Sequence, residues 1–202
     1  MPEIKNKQAF INQLKQYSTT SENNNLFYEF SDSKIIIEET EEDGRGEIYL
    51  DISSYSYNQD IFFLKIIHQP NHNIGINPNH NDGIVLKVDL QTKKIVVYLF
   101  ELKKQLRFNK LKKANKQLTS AYKFIKYLML EECFSIEYNF FIVYDINNIE
   151  FDIGDLKQEN KFEYELYMSI YENKDSFPIQ IPFCRYKTFN FRQIIFGQTI
   201  EI

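Results

Sequence analysis

Two apolar runs, Ile84-Val-Leu-Lys-Val-Asp-Leu90 and Ile95-Val-Val-Tyr-Leu-Phe100, stand four residues apart, and that spacing constrains the fold more than any other feature of the chain. Each run is long enough for a strand, while the polar tetrad Gln91-Thr92-Lys93-Lys94 between them has room only for a turn. The expected unit is an antiparallel hairpin. An even-length turn over residues 91–94 pairs Leu90 with Ile95, Ile84 with Glu101 and Asp82 with Lys103. Opposed residues in such a ladder share a face, and side chains alternate with period two. One face then carries Ile84, Leu86, Val88, Leu90, Ile95, Val97 and Leu99, crowned at the open end by Asp82, Glu101 and Lys103. A slip of one residue would divide this group between the two faces.

Two hard carboxylates held close together repel unless a cation joins them, and Mg²⁺ favours one or two carboxylates with waters and phosphate oxygens completing its shell. Such an ion orients and acidifies an attacking water, and an ammonium beside it adds to the stabilisation of charge developing on phosphate. The pattern suits phosphodiester hydrolysis. With Asp82-Gly83-Ile84 at the start of one strand and Glu101-Leu102-Lys103 at the end of the next, the chain resembles the PD-(D/E)xK nuclease superfamily, the restriction-endonuclease-like fold. The segment that follows, with Lys113-Ala114 and Gln117-Leu118, resembles the family's helix after the motif. The resemblance implies Asp82, Glu101 and Lys103 as the catalytic group. Asp82 and Glu101 would hold Mg²⁺ or Mn²⁺, and Lys103 would assist the attacking water. It also implies a mixed central sheet flanked by helices, within the α+β or α/β class. The corresponding organisation is a single domain over residues 1–202 with a nuclease-like core over residues 47–145.

From Lys103 to Leu130 there is no acid, while Lys103, Lys104, Arg107, Lys110, Lys112, Lys113, Lys116, Lys123 and Lys126 are all cationic. Leu111, Ala114, Leu118, Ala121, Ile125 and Leu128 recur at steps of three and four, which predicts an amphipathic helix with a basic outer surface. The chain as a whole carries a formal net charge of -4, so its global field repels nucleic acid. A local basic block beside the acidic cluster is therefore the informative feature. Contacts to phosphate from Lys104, Arg107, Lys110, Lys113 and Lys116, with Gln117, would give sequence-independent, salt-dependent affinity. The alternative for such a helix is a merely solvated face.

Mixed strand and helix signals surround this centre. A first helix is expected over residues 4–17, and a hairpin over residues 26–30 and 34–38 around Ser31-Asp32-Ser33. Strands are expected at 47–53, 61–67, 134–145, 178–183 and 189–196, with a short helix at 162–171. No repeat with a period of twenty to fifty residues is present. A chain of 202 residues with 43% hydrophobic content, 18 Phe and 14 Tyr favours one domain with a substantial core. It has no apolar stretch of bilayer length and its N-terminus lacks an apolar signal core. Cys133 and Cys184, far apart and without metal-ligand spacing, suit free thiols, which points to a cytoplasmic location.

Every histidine lies in one loop, as His68 followed by Pro70-Asn71-His72-Asn73 and Pro78-Asn79-His80-Asn81. Three imidazoles ahead of Asp82 are a transition-metal alternative, although Pro, Asn and Gly also make ordinary turns. His80, two residues before Asp82, is a candidate contact to substrate phosphate. Glu29, Glu38 and Glu47 are candidates for a third metal carboxylate. Arg185, Lys187 and Arg192, interleaved with Tyr186, Phe189 and Phe191, form a mixture that can stack bases and hold phosphates, or that simply builds a strand core. The expected activity is metal-dependent cleavage of nucleic acid, DNA before RNA, in restriction, repair or mobile-element defence, with a homodimer as an allowed assembly. The alternative is a non-catalytic nucleic-acid-binding or protein-interaction module on the same fold.

Overall fold

In the computed structural model the described residues are 6–18, 27–29, 34–39, 46–53, 59–64, 82–105, 107–128, 130–145, 164, 168, 172, 176–180 and 188–202. In chain order they form α1 (Lys7–Ser18), β1 (Phe27–Glu29), β2 (Lys34–Glu39), β3 (Gly46–Asp51), β4 (Gln59–Leu64), β5 (Gly83–Asp89) and β6 (Lys94–Lys103). There follow α2 (Phe108–Tyr127), a 3-10 turn (Leu130–Glu132), β7 (Ser135–Tyr144), β8 (Ser176–Gln180), β9 (Thr188–Ile195) and β10 (Thr199–Glu201). Seven strands make a mixed sheet in the order β1-β4-β5-β6-β7-β9-β8, and three make a smaller one in the order β10-β3-β2. The fold is mixed α+β.

The expected hairpin is the middle of the large sheet. Its ladder pairs Asp89 with Lys94, Val88 with Ile95 and Ile84 with Leu99. The turn therefore occupies residues 90–93, one position earlier than the spacing of the apolar runs suggests, and the partners of Ile84 and Leu90 differ from those expected. The reason is local. The Asp89 carboxylate accepts the N–H groups of Gln91 and Thr92, both at 2.9 Å, and so closes the turn directly behind β5. The Thr92 N–H, then its hydroxyl and the Gln91 N–H, hold this carboxyl below its ordinary range. Lys93 completes the turn with a φ of 54°, and its carbonyl accepts the Ser135 N–H at 2.9 Å, which fixes the entry to β7. Because the partner shift is two residues, each side chain keeps its expected face.

β6 and β7 run parallel, so the chain must cross back over the sheet between them, and α2 makes that crossover. Its stripe of Leu111, Ala114, Leu118, Ala121, Ile125 and Leu128 is buried against Ile84, Leu86, Val88, Ile95, Val97 and Leu99. Phe10 and Leu14 of α1 join the same core beside Phe62 and Phe134. The Gln13 side chain donates to the Leu128 carbonyl at 3.3 Å and satisfies one of the open groups at the end of α2. On the opposite face Val85, Phe100, Leu102, Phe141 and Val143 pack against Ile35, Ile37, Ile48 and Leu50 of the small sheet. The described helices thus cover one face of the central sheet and the small sheet covers the other.

Two further expectations are corrected. The segments at 26–30 and 34–38 do not pair with each other: β1 joins β4 through Phe27 and Leu64, while β2 joins β3. Among the side chains described in β2, Ile35 and Ile37 are buried, with Lys34, Ile36 and Glu38 exposed. That one-sided pattern suits an outer layer, and long-range pairing overrides the short connection. β3, where the nuclease-like core was expected to begin, likewise belongs to the small sheet. Of the short helix expected at 162–171 only two residues are described, and most of it lies outside the described set. β10 has no counterpart among the expected strands; it runs parallel to β3 and pairs Ile200 with Leu50.

In the small sheet Gly46 lies against an aromatic side chain. A Cβ on Gly46 would run into the tip of the Phe196 ring. Gly46→Ala should therefore cost about 1–3 kcal/mol, the usual scale for overpacking. Urea unfolding should show a smaller penalty for the same change in a Phe196→Leu background; equal penalties in both backgrounds would show that the ring is not what excludes the methyl.

Candidate metal and phosphate site

At the carboxyl end of β6 the apolar alternation gives way to charge. Ile95, Val97 and Leu99 face the helices, and period two puts Glu101 and Lys103 on that same side. Asp82 lies immediately before β5. Its N–H donates to the Phe100 carbonyl at 3.1 Å, and its Oδ2 accepts the Leu102 N–H. Asp82 therefore bonds on both sides of Glu101, once through its main chain and once through its carboxylate. The carboxylate takes the place of a ladder carbonyl just before β5 begins.

These groups are buried, with Asp82 at 7%, Glu101 at 0% and Lys103 at 6% exposure. The Lys103 Nζ donates to Glu101 Oε1 and, at 3.0 Å, to the Leu102 carbonyl. Removal from water makes each charge costly alone, and the ion pair offsets part of that cost. Two carboxylates and one ammonium are thus gathered out of water at one end of the sheet. The donors are hard oxygens from two carboxylates. That set fits Mg²⁺ or Mn²⁺, which keep waters in the shell, and does not make a closed zinc site. Among the described residues no group of three or more His, Cys, Asp or Glu side chains converges in a way that could hold a metal.

The expected phosphate contacts divide by face. Lys104, Arg107, Lys113 and Lys116 are exposed, Lys110 is half-buried, and Gln117 is buried on the side of α2 turned to the sheet. The first turn of α2 carries no acid, so its positive dipole end is not neutralised from within that turn. Since α2 runs back along β6, its N-terminal half lies toward the end of the sheet that bears Glu101 and Lys103. His68, His72 and His80 lie outside the described residues, as do Arg185, Tyr186 and Lys187. Glu38 and Glu47 are exposed partners on β2 and β3, on the small sheet beyond the opposite face of the large one. They are thereby removed from Asp82 and Glu101. Glu29 is placed in β1, two strands from β5.

One residue at this end of the sheet escapes a reading of the sequence. Tyr144, the last residue of β7, is the register partner of Lys103 and lies in the helix-side core. Burial pushes its phenol pKa up. The only sequence signal for it is position, as the final aromatic of a strand parallel to β6. No family model, curated protein or solved structure matches the chain.

The hydrogen bonds separate charge from structure in a measurable way. Asp82→Asn keeps an oxygen for the Leu102 N–H, whereas Asp82→Ala leaves that buried group unsatisfied at a cost of about 1–3 kcal/mol. Urea midpoints should therefore fall further for Ala than for Asn. Lys103→Met removes the ammonium that Glu101 bonds and should destabilise by about 3–5 kcal/mol, with much of the loss recovered in Lys103→Met/Glu101→Leu. Lack of recovery in the double variant would mean that the ion pair is not the source of the loss.

Proposed function

We propose that the chain is a metal-dependent nuclease hydrolysing phosphodiester bonds, with DNA as the favoured substrate, on a restriction-endonuclease-like core. The observation that carries this reading is the burial of Asp82, Glu101 and Lys103 together at the carboxyl end of β6, directly before a helix whose outer surface is basic. The mixed sheet supports it as well, with the acid entering one strand, Glu101-Leu102-Lys103 closing the next, and α2 following. The described helices on one face and the small sheet on the other are this chain's own variation on a sheet flanked by helices.

In this reading Asp82 and Glu101 hold Mg²⁺ or Mn²⁺, and the bound ion supplies Lewis acidity toward phosphate and water. Asp82 is oriented by the Leu102 N–H, so its carboxylate is set before any ligand arrives. Lys103 brings an ammonium to the place where negative charge grows on the phosphate. Lys104, Arg107, Lys110, Lys113 and Lys116 take the flanking backbone, with Gln117 as a further candidate contact.

A second reading has its own observation. The Lys103 ammonium already engages Glu101, and Asp82 already caps Leu102, so the same three groups serve as an internal latch in a non-catalytic nucleic-acid-binding module.

Purified protein incubated with single-stranded and duplex DNA and RNA should cleave only when Mg²⁺ or Mn²⁺ is added. Asp82→Asn and Glu101→Gln should reduce cleavage to background while both variants remain folded. Replacing Lys104, Lys113 and Lys116 together by Gln should lower affinity across sequences and flatten the salt dependence by roughly one unit of log K per log salt for each phosphate that is no longer neutralised. Salt-dependent binding without cleavage in either metal would select the second reading. Absence of both would remove nucleic acid from the account.

A further inference from the structure

We propose that the outer edge of β2 pairs with β2 of a second copy of this chain, antiparallel about a two-fold axis at Ile36, so that the two small sheets join into one. The strand is the outer member of the order β10-β3-β2, and among the described residues it pairs with β3 alone. Which of its residues look outward follows from the hydrogen bonds of β3. The Tyr49 N–H donates to the Gln198 carbonyl at 3.1 Å, while the carbonyls of Glu47 and Asp51 accept from the N–H of Gly197 at 2.9 Å and of Ile202 at 3.1 Å. These three residues thus direct their main chain toward β10. Successive residues of a strand direct such groups to opposite edges, so Ile48 and Leu50 bond toward β2, with Ile37 and Ile35 as their partners. Lys34, Ile36 and Glu38 then direct theirs away from β3, and the same three residues are exposed.

An edge of this kind invites further pairing, and proteins ordinarily blunt it with a proline, a bulge or extreme shortness. β2 has six residues, none of them proline, and its register with β3 runs unbroken from Lys34 opposite Asp51 to Glu39 opposite Gly46. Its segment Lys34-Ile35-Ile36-Ile37-Glu38 is apolar in the middle and oppositely charged at its ends. Parallel in-register pairing would set like charges together. The antiparallel register about Ile36 instead sets Lys34 against Glu38 of the second copy at both ends, and Ile36 against its own equivalent. No other register supplies both charge pairs. Ile36 is 53% exposed, the one large apolar side chain so open among those described in the strands, and the pairing covers it. Glu38 also stands opposite Glu47 within the sheet, a like-charge pair that costs stability. Lys34 of the second copy reaches the other side of Glu38 and offsets that repulsion. The small sheet and α2 lie on opposite faces of the large sheet, so the contact leaves the basic helix uncovered. This pairing is independent of whether the chain cleaves nucleic acid.

Sedimentation velocity of the full chain from low to high micromolar concentration should show a monomer–dimer equilibrium, weak because a short edge contact lies at the small end of interface size. Lys34→Glu and Glu38→Lys each place like charges at both ends of the pairing and should raise the dimer Kd by about tenfold or more. Mixed in equal amounts, the two variants should associate with each other, since each supplies the charge that the other has lost. Ile36→Lys sets two ammonium groups at the axis and should leave only monomer. All three changes fall on exposed side chains, so circular dichroism should report an intact fold. Amide exchange read residue by residue identifies the edge itself: the N–H groups of Lys34, Ile36 and Glu38 should slow as protein concentration rises, whereas those of Ile35 and Ile37, already bonded to β3, should be slow throughout. A monomer at every concentration would overturn the pairing. So would a dimer that survives both charge variants, variants that stay apart when mixed, or exchange at the three outward amides that ignores concentration, since any interface would then lie elsewhere.

Discussion

β6 is covered on both faces, and most of the molecule follows from that condition. Ile95, Val97 and Leu99 meet α1 and α2 on one side, while Phe100 and Leu102 meet the small sheet on the other. A strand in that position cannot send a charged side chain into water from its last buried turns. Glu101 and Lys103 therefore bond to each other, and Asp82 turns its carboxylate onto the Leu102 N–H just before β5 begins. The charged group is a consequence of ending an apolar strand inside the protein with acid, leucine and lysine. A buried group of this kind is stable only while its members remain together.

The same connection that protects β6 sets its surroundings. A parallel partner for β6 demands a crossover, and the crossover is the acid-free segment that becomes α2. Its apolar stripe fills the helix-side core and so turns the lysines outward. An inward cluster of two carboxylates and an ammonium and an outward basic surface thus belong to one βαβ unit. In the nuclease reading proposed above, a cation would be held inside and a polyanion outside. Tyr144 is the ladder partner of Lys103 at the end of the next parallel strand.

Much of this is legible in the sequence because side-chain facing depends on parity. The spacing of the apolar runs puts the turn one residue late, yet the partner shift of two leaves Ile84, Leu86, Val88, Ile95, Val97 and Leu99 on one face with Glu101 and Lys103. The turn itself is not legible because Asp89 acts through its side chain, closing the loop with two N–H bonds that a pattern of apolar residues does not register. α2 is legible for a different reason: its stripe and its lack of acids are both long-range regularities within one segment.

What the amino-acid sequence determined by itself was local and periodic: the strands β5 and β6, the helix α2, the face on which each side chain stands, and the proximity of Glu101 to Lys103. Tertiary structure alone decided which strands became neighbours. β1 passed over the adjacent β2 to join β4, β10 found β3 from the far end of the chain, and Tyr144 came beside Lys103 because β7 pairs in parallel. Those choices depend on burying two faces of one sheet at once. Period and propensity describe a single segment, whereas burial of a face is satisfied only by segments distant in the chain.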